Sequence, residues 1–330
     1  MNPVILKEGR YSAKDIDKLS RKFKPKITDI YSEQLKEISE IKFKKILKSR
    51  DKETFGDWIY YPWSNSLLHT LSEKENDLLK ANRNKNLITA LEQKKLADFT
   101  IAIAGLSVGG NIATALLHNG FPKKIKLADS DILRTTNLNR VRARLSDVGE
   151  KKVDVISRQL YEIDPYLKIT TFPQGLSKKN LKDFIAGNPK PKLIFELIDD
   201  FEIKILLRKT ARKHKVPVIM LTSLGDSVLV DIERYDTEPE TEIFNGRVDE
   251  KTINKDNFAL EMVGRYNVPK RAVESIKEIG KTLVGRPQLM NTVTVASGIA
   301  LFLARKIALG EKIKSGRILF KFDDLLFRRT

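Results

Sequence analysis

Residues 101–142 read IAIAGLSVGGNIATALLHNGFPKKIKLADSDILRTTNLNRVR, and this stretch decides the fold. An apolar run ends in Gly105-Leu106-Ser107-Val108-Gly109-Gly110 and passes directly into a segment of helical period. A second apolar run ends in Asp129-Ser130-Asp131, and the polar box Thr136-Asn137-Leu138-Asn139-Arg140 follows it. A strand, a glycine-bearing turn and a helix in that order leave free helix N–H groups beside the turn, where an anion such as a phosphate is held. Gly105, Ser107, Gly109 and Gly110 are therefore the first candidate nucleotide contacts, although Ser107 stands where the G-x-G-x-x-G pattern has its second glycine. A carboxylate at the end of the second strand accepts hydrogen bonds from ribose hydroxyls, and we expect Asp129 in that role with Asp131 beside it.

Up to this point the ribose of NAD or of ATP would serve equally. The box separates the two readings. A dehydrogenase has no need of a basic group directly after the second strand, whereas nucleotidyl transfer needs cations near the α-phosphate. Asn137 and Arg140 thus join the candidate site.

Outward from this segment, apolar runs at 99–104, 124–128, 167–172, 192–197 and 216–221 alternate with segments of helical period at 109–119, 150–162, 178–187 and 201–214. The alternation predicts an α/β fold, a doubly wound and mainly parallel sheet of Rossmann-like type. Residues 226–235 read as a further strand and 318–322 as an edge strand; 236–268 are polar and irregular, and 269–309 return to helical spacing. Upstream, apolar residues at helical spacing (Ile16, Leu19, Phe23, then Leu35, Ile38, Ile41, Phe43, Ile46) predict a helical N-terminal extension over 1–81, with Leu67, Leu68 and Leu71 on a further helix. The aromatic run Trp58-Ile59-Tyr60-Tyr61-Pro62-Trp63 reads as a packing cluster that staples this extension to the main domain, 82–330. Within that domain, 99–235 form the motif core and 236–330 a C-terminal part whose helices close the sheet. Thr89 and Glu92 stand at the spacing of a capping box, so a short helix starts after Thr89.

Of the 330 residues, 41% are hydrophobic and 32% charged, the balance of a chain that buries a core. The chain holds no cysteine, which excludes disulfides, cysteine-ligated zinc and a cysteine nucleophile on this chain. The net charge of +18 comes from Lys and Arg interleaved with acids. It is compatible with an anionic partner, nucleic acid included, but no RNA-binding motif supports one. His69, His118 and His214 are too scattered for a metal triad. The longest apolar run lies within Thr292–Ala304 and is stopped by Arg305 and Lys306, short for a membrane span, so we expect no membrane association and a cytoplasmic location.

The glycine turn, the Asp-x-Asp and the Asn-Leu-Asn-Arg box, in this order, resemble the ThiF/MoeB/HesA family, the bacterial relatives of the ubiquitin-activating enzymes. Val148-Gly149-Glu150-Lys151-Lys152 is similar to that family's V-G-x-x-K, Asp164-Pro165 to its N-P, and Ile198-Asp199-Asp200 to its T-D-N at the end of the fourth strand. Arg83-Asn84-Lys85 resembles the R/Y-N-R segment whose last basic residue reaches the partner subunit's ATP site. The likeness covers roughly 82–235, and more loosely the whole chain resembles ThiF-like proteins with a YYPW-containing extension. It implies a homodimer using ATP and Mg²⁺, in which Arg140 and Lys152 neutralise phosphate charge, Asp199 handles Mg²⁺, and Lys85 or Arg83 acts across the interface. The implied reaction is adenylation of a carboxylate with release of pyrophosphate. The acceptor would be a ubiquitin-like carrier C-terminus, a peptide, or a small carboxylate. Ser107, Val108 and Val141 depart from the family pattern, and the missing cysteine excludes a thioester step on this chain. An NAD(P)-linked oxidoreductase and a catalytically silent nucleotide-binding module are the alternatives.

Overall fold

The computed structural model describes residues 2–41, 55–248 and 258–326. The N-terminal part contains β1 (Val4–Leu6), α1 (Ala13–Phe23), β2 (Lys26–Asp29), α2 (Tyr31–Glu40), β3 (Asp57–Tyr61), β4 (Ser66–Thr70) and α3 (Glu73–Lys80). Its strands form a four-stranded sheet in the order β1-β3-β4-β2. The extension is thus not helical throughout, and Leu67 and Leu68 lie on β4 rather than on a helix. The reason is local. Trp58–Tyr61 and Leu67–Thr70 are rich in aromatic and apolar residues that pair across a short turn, and strand pairing overrides the helical spacing of the leucines. Phe43 and Ile46, expected on a helix, lie outside the described residues.

His69 is buried between the rings of Trp58 and Tyr31, at centroid distances of 4.3 and 4.7 Å, and bonds Asp29 and the Phe55 carbonyl. It is a structural residue. The aromatic run does staple the extension down: Tyr61 Oη donates to the Tyr161 carbonyl at 3.4 Å, Trp63 Nε1 to Glu162 at 2.8 Å, and Tyr166 Oη to Asp57 at 2.7 Å.

The main domain runs α4 (Ala90–Ala97), β5 (Thr100–Ala104), α5 (Leu106–His118), β6 (Lys124–Ala128), α6 (Lys152–Ile163), β7 (Lys168–Phe172), α7 (Leu181–Ala186), β8 (Leu193–Glu196), α8 (Phe201–Lys213), β9 (Val218–Ser223) and β10 (Ser227–Glu233). It continues through α9 (Phe258–Val263), α10 (Lys270–Glu274), α11 (Met290–Leu309), β11 (Gly316–Lys321) and α12 (Phe322–Leu326). The sheet has seven strands in the order β11-β10-β9-β8-β5-β6-β7. β5 to β9 are parallel, and β10 and β11 add an antiparallel edge. β5 reads TIAIA because both its faces are covered. Ile101 and Ile103 pack toward α5, α6 and α11, while Ala102 and Ala104 pack toward α7 and α8. Thr89 caps α4, its side chain accepting from the Glu92 N–H and the Glu92 carboxylate accepting in return.

The stretch 269–309 is helical only at its ends, in α10 and α11. α11 is longer than the apolar run that announces it, 20 residues with a mean hydropathy of 1.5, so its length and composition alone permit a membrane span. In this fold one stripe of it, including Val293, Ala296, Ala300 and Ala304, is core.

Beneath the carboxyl end of β8 lies a buried charge network. Arg208 and Glu196 are fully buried and bonded to each other, and Lys204 Nζ donates to both Glu196 oxygens at 2.7 and 2.8 Å. Arg208 Nε is 2.9 Å from Glu233 on β10 without hydrogen-bond alignment, a charge contact, and its guanidinium sits 3.9 Å from the centre of the Phe244 ring. Burial alone would raise Glu196, but Lys204 and Arg208 outweigh it and hold its carboxyl below the usual range. Replacing Arg208 by Met leaves both carboxylates buried without their central cation. We expect a loss of about 3–5 kcal/mol, read by chemical denaturation, and a variant within about 1 kcal/mol of wild type would show that the network does not hold β8 to β10.

Candidate active site

The site sits at the carboxyl ends of β5, β6, β8 and β9, where the strand order reverses between β5 and β8, the usual ligand crevice of such sheets. A cavity of about 560 Å³ opens there, lined by Gly105 to Val108, Asp129 to Asp131, Arg140 and Ile198 to Asp200. Gly105 turns the chain from β5 into α5 with φ +89°. A Cβ on it would lie 2.4 Å from the Leu197 carbonyl oxygen, so only glycine lets the turn pass this close to the end of β8. The turn is pinned from β6: Asp129 accepts the Leu106 N–H at 2.7 Å on one oxygen and the Asp131 N–H at 2.8 Å on the other. Burial pushes the Asp129 carboxyl above the ordinary range, against the pull of Lys152 and the two N–H donors. Each oxygen keeps a further lone pair, and Asp129 still lines the cavity where a ribose would lie. Ser107 and Val108 line the cavity, and their first-turn N–H groups have no intrahelical partners, the arrangement in which a helix N-terminus takes an anion.

Arg140 is anchored by its surroundings. Its carbonyl accepts from Asn111 on α5 at 2.9 Å, and its Nη1 donates to the Thr136 carbonyl and to Asn139 Oδ1 at 3.1 and 2.9 Å. Its Nε is buried without a partner. Burial lowers the proton affinity of the guanidinium, Asp199 raises it and Arg286 lowers it, so these three groups share one field. Lys152 begins α6, is 4% exposed, and donates to Asp131 at 2.7 Å and to Ser107 Oγ at 3.3 Å. Its ammonium therefore stands behind the cavity wall, against the two side chains that form it.

Asp199 follows β8 in the loop that Lys204 and Glu196 hold: Ile198 donates its N–H to Glu196 at 2.9 Å, and its carbonyl accepts from Lys204 at 3.0 Å. Its side chain is 89% exposed. Asp200 instead caps α8, accepting the Ile203 N–H at 2.9 Å. No group of three or more His, Cys, Asp or Glu side chains able to hold a metal occurs among the described residues. One exposed carboxylate at the mouth suits a Mg²⁺ that arrives on nucleotide phosphates, since Mg²⁺ is ordinarily held by one or two carboxylates with phosphates and waters.

Three expected contacts, Gly109, Gly110 and Asn137, are corrected. Gly109 and Gly110 do not line the cavity; a Cβ there would lie 2.5 Å from Ile103 and 2.6 Å from Ile156, so these glycines let α5 pack on β5 and α6. Asn137 also stands off the cavity and accepts the Arg134 N–H at 3.0 Å, capping the short turn that begins the box. Lys85, expected to act in the partner subunit's site and not in its own, is exposed and lies outside this chain's cavity. Sequence reasoning missed Arg286, which bonds Asp199 at 3.1 Å, and Gln288, whose carbonyl accepts from Asn139 at 2.9 Å. It also missed Asn111 and the Glu196 network. The one available signal was a pair of charged residues, Lys204 and Arg208, on the otherwise apolar face of α8. Gly105→Ala tests the turn: with the left-handed φ and the carbonyl contact together, we expect a loss of at least about 2 kcal/mol in chemical denaturation, whereas Gly149→Ala, with open space around its Cβ, should cost less.

Comparison with known proteins agrees with this geometry. Residues 80–325 match the model of the ThiF family. An uncharacterized protein of Mycobacterium tuberculosis is 32% identical over 315 residues, 92% of this chain and 43% of that protein. The tRNA threonylcarbamoyladenosine dehydratase 2 of Saccharomyces cerevisiae is 31% identical over 140 residues, 42% of this chain and 31% of that enzyme. The chain therefore spans less than half the length of these two relatives. Among solved structures, E. coli MccB crystallised with AMPCPP and MccA superposes with a TM-score of 0.52 at 19% identity, covering 73% of this chain and 67% of MccB, a likeness of fold. With the glycine turn, the pinned aspartate, the arginine box and the aspartate after β8 in one crevice, and a family model matching most of its length, the chain belongs to the ThiF family.

Proposed function

We propose that this protein adenylates a carboxylate with ATP in the cytoplasm. The observation that carries the reading is the convergence on one cavity of Arg140, Asp199 and the N-terminus of α5, with the Lys152 ammonium against Ser107. An acceptor carboxylate oxygen attacks the α-phosphorus of ATP, the bond to the bridging oxygen breaks, and pyrophosphate leaves as the acyl-adenylate forms. Asp129 holds the ribose, the free N–H groups of α5 face the phosphates, and Arg140 stabilises charge gathering on the α-phosphate oxygens. Lys152 adds its charge from behind Ser107 and keeps Asp131 in place. Mg²⁺ carried by the nucleotide and held by Asp199 would neutralise the departing pyrophosphate. Without cysteine on this chain, its own part ends at the adenylate.

The acceptor belongs to one of three classes: a peptide, the C-terminus of a ubiquitin-like carrier, or a small carboxylate. The MccB structure contains MccA, and the yeast relative is named for a dehydration on tRNA threonylcarbamoyladenosine, so related folds serve acceptors of different size. We further propose that the protein works as a homodimer in which Lys85 or Arg83 enters the partner's cavity. Supporting this, both residues are exposed, and Leu87 and Leu91 beside them are 85% and 76% exposed. On α11, which packs beside α4, Val295 and Phe302 are also 39% and 48% exposed.

The nucleotide is tested first. ATP with Mg²⁺ at 100 times its Kd should stabilise the fold by about 2.7 kcal/mol in thermal unfolding. Stabilisation by NAD⁺ and none by ATP would overturn adenylation in favour of redox chemistry. Arg140→Ala should lower ATP–pyrophosphate exchange by about 10²–10³-fold with a cognate acceptor. Mixing Lys85→Ala/Arg83→Ala subunits with Arg140→Ala subunits should restore exchange that neither homodimer shows, and failure to complement despite mixed dimers forming would exclude a site shared between subunits.

A further inference from the structure

Arg286 lies between α10 and α11, where no motif marks it. Its Nη2 is 3.1 Å from Oδ1 of Asp199, the residue that the proposed function assigns to the cation. Two residues on, the Gln288 carbonyl accepts from Asn139 at 2.9 Å, beside Arg140. The segment therefore bridges the end of β8 and the arginine box, across the mouth of the cavity. Gln288 Oε1 and Arg140 Nε are both buried without partners, and both residues line that cavity. A buried acceptor and a buried donor left unmade on neighbouring walls mark a space that a polar ligand fills.

The charges say which ligand. Asp199 pairs with Arg286 at 3.1 Å, and the charges of both act on the Arg140 guanidinium in the same cavity. Engaging the Asp199 carboxylate with a divalent cation removes that anion and leaves the two guanidinium groups facing the same space. That arrangement is stable only with a strong anion between them, and a polyphosphate supplies it. The Arg286–Asp199 pair is itself exposed, 46% and 89% for the two side chains, so it is weak enough to be displaced by a hard cation.

We propose that Arg286 is a latch opened by the cation: it holds Asp199 in the nucleotide-free protein, and Mg²⁺ arriving with ATP takes Asp199 and releases Arg286 onto the phosphates. The proposal rests on Asp199 as the carboxylate that carries Mg²⁺. It couples metal to nucleotide, because Arg286 contributes to ATP affinity only after the metal has taken its partner.

The test is ATP binding by isothermal titration calorimetry, with saturating Mg²⁺ and with EDTA, for the wild type, Arg286→Gln, Arg286→Lys and Asp199→Asn. Arg286→Gln should weaken ATP about tenfold with Mg²⁺ and less than about twofold in EDTA, with Arg286→Lys between wild type and Gln in Mg²⁺. Equal weakening in both conditions, or none in either, overturns the latch. Asp199→Asn separates the two levels: it should abolish the gain in ATP affinity that Mg²⁺ brings. If that gain survives in Asp199→Asn, the assignment of Asp199 falls and takes the latch with it. If the gain is lost but Arg286→Gln behaves alike with and without Mg²⁺, the latch alone falls.

Discussion

The contact on which the site depends is between Arg208 and Glu196, two fully buried charges under the last residues of β8. Burying two ions is expensive, and the cost is offset only when every lone pair and proton finds a partner. Glu196 meets that condition with Lys204, Arg208 and the Ile198 N–H, whereas Arg208 Nε and Nη2 make no hydrogen bond and are compensated by the charge of Glu233 and the face of Phe244. Lys204 adds the Ile198 carbonyl, and Arg208 reaches Glu233, which also accepts from Tyr235 Oη and the Phe244 N–H. β8, α8 and β10 are tied together by one set of interactions. The loop that carries Asp199 leaves the sheet from a fixed end. An apolar triad of similar volume would pack as well, but it could not hold the Ile198 peptide on both sides.

The other half of the cavity is fixed by an equally specific device. Gly105 lets the first turn pass against Leu197, and Asp129 draws the start of α5 toward β6 through the Leu106 N–H. Leu197 immediately follows the Glu196 anchor, so the glycine turn and the charge network meet at adjacent residues. The crevice between β5 and β8 is braced on both sides, and at its mouth stand the exposed side chains of Asp199 and Arg286.

Much of this was legible in the chain, and the exceptions have physical reasons. The four inner parallel strands, β5, β6, β8 and β9, follow from apolar runs, because a strand covered on both faces leaves a continuous signature, and the capping box at Thr89 follows from local polar spacing. Gly105, Asp129 and Arg140, which the fold brings to one cavity, could be picked out because the first two stand at strand ends and the third closes a polar box. Gly109 and Gly110 were misread because a glycine that admits a neighbouring helix looks the same in sequence as one that admits a phosphate. The sheet of the extension was hidden because Leu67, Leu68 and Leu71 satisfy helical spacing, which conceals that Leu67 and Leu68 pair with Tyr60 and Ile59 across a short turn. Arg286 was beyond reach for a different reason. It meets Asp199 across a separation that no local pattern spans.

The extension bears on the site through α6. The family model begins at residue 80, whereas the M. tuberculosis relative matches 92% of the chain and so includes most of the extension. The extension is thus a trait of this chain and that relative beyond the shared nucleotide fold. It grips the carboxyl end of α6, where Tyr61 bonds the Tyr161 carbonyl and Trp63 bonds Glu162. Lys152 is the first residue of the same helix. A 12-residue α-helix is a stiff rod of about 18 Å, so fixing one end fixes the line along which the other lies. The ammonium of Lys152 needs that support, because it reaches the cavity only through Ser107 and Asp131 and has no slack with which to follow a moving helix. An aromatic staple far from the nucleotide is, on this geometry, part of what keeps the phosphate end of the site in register.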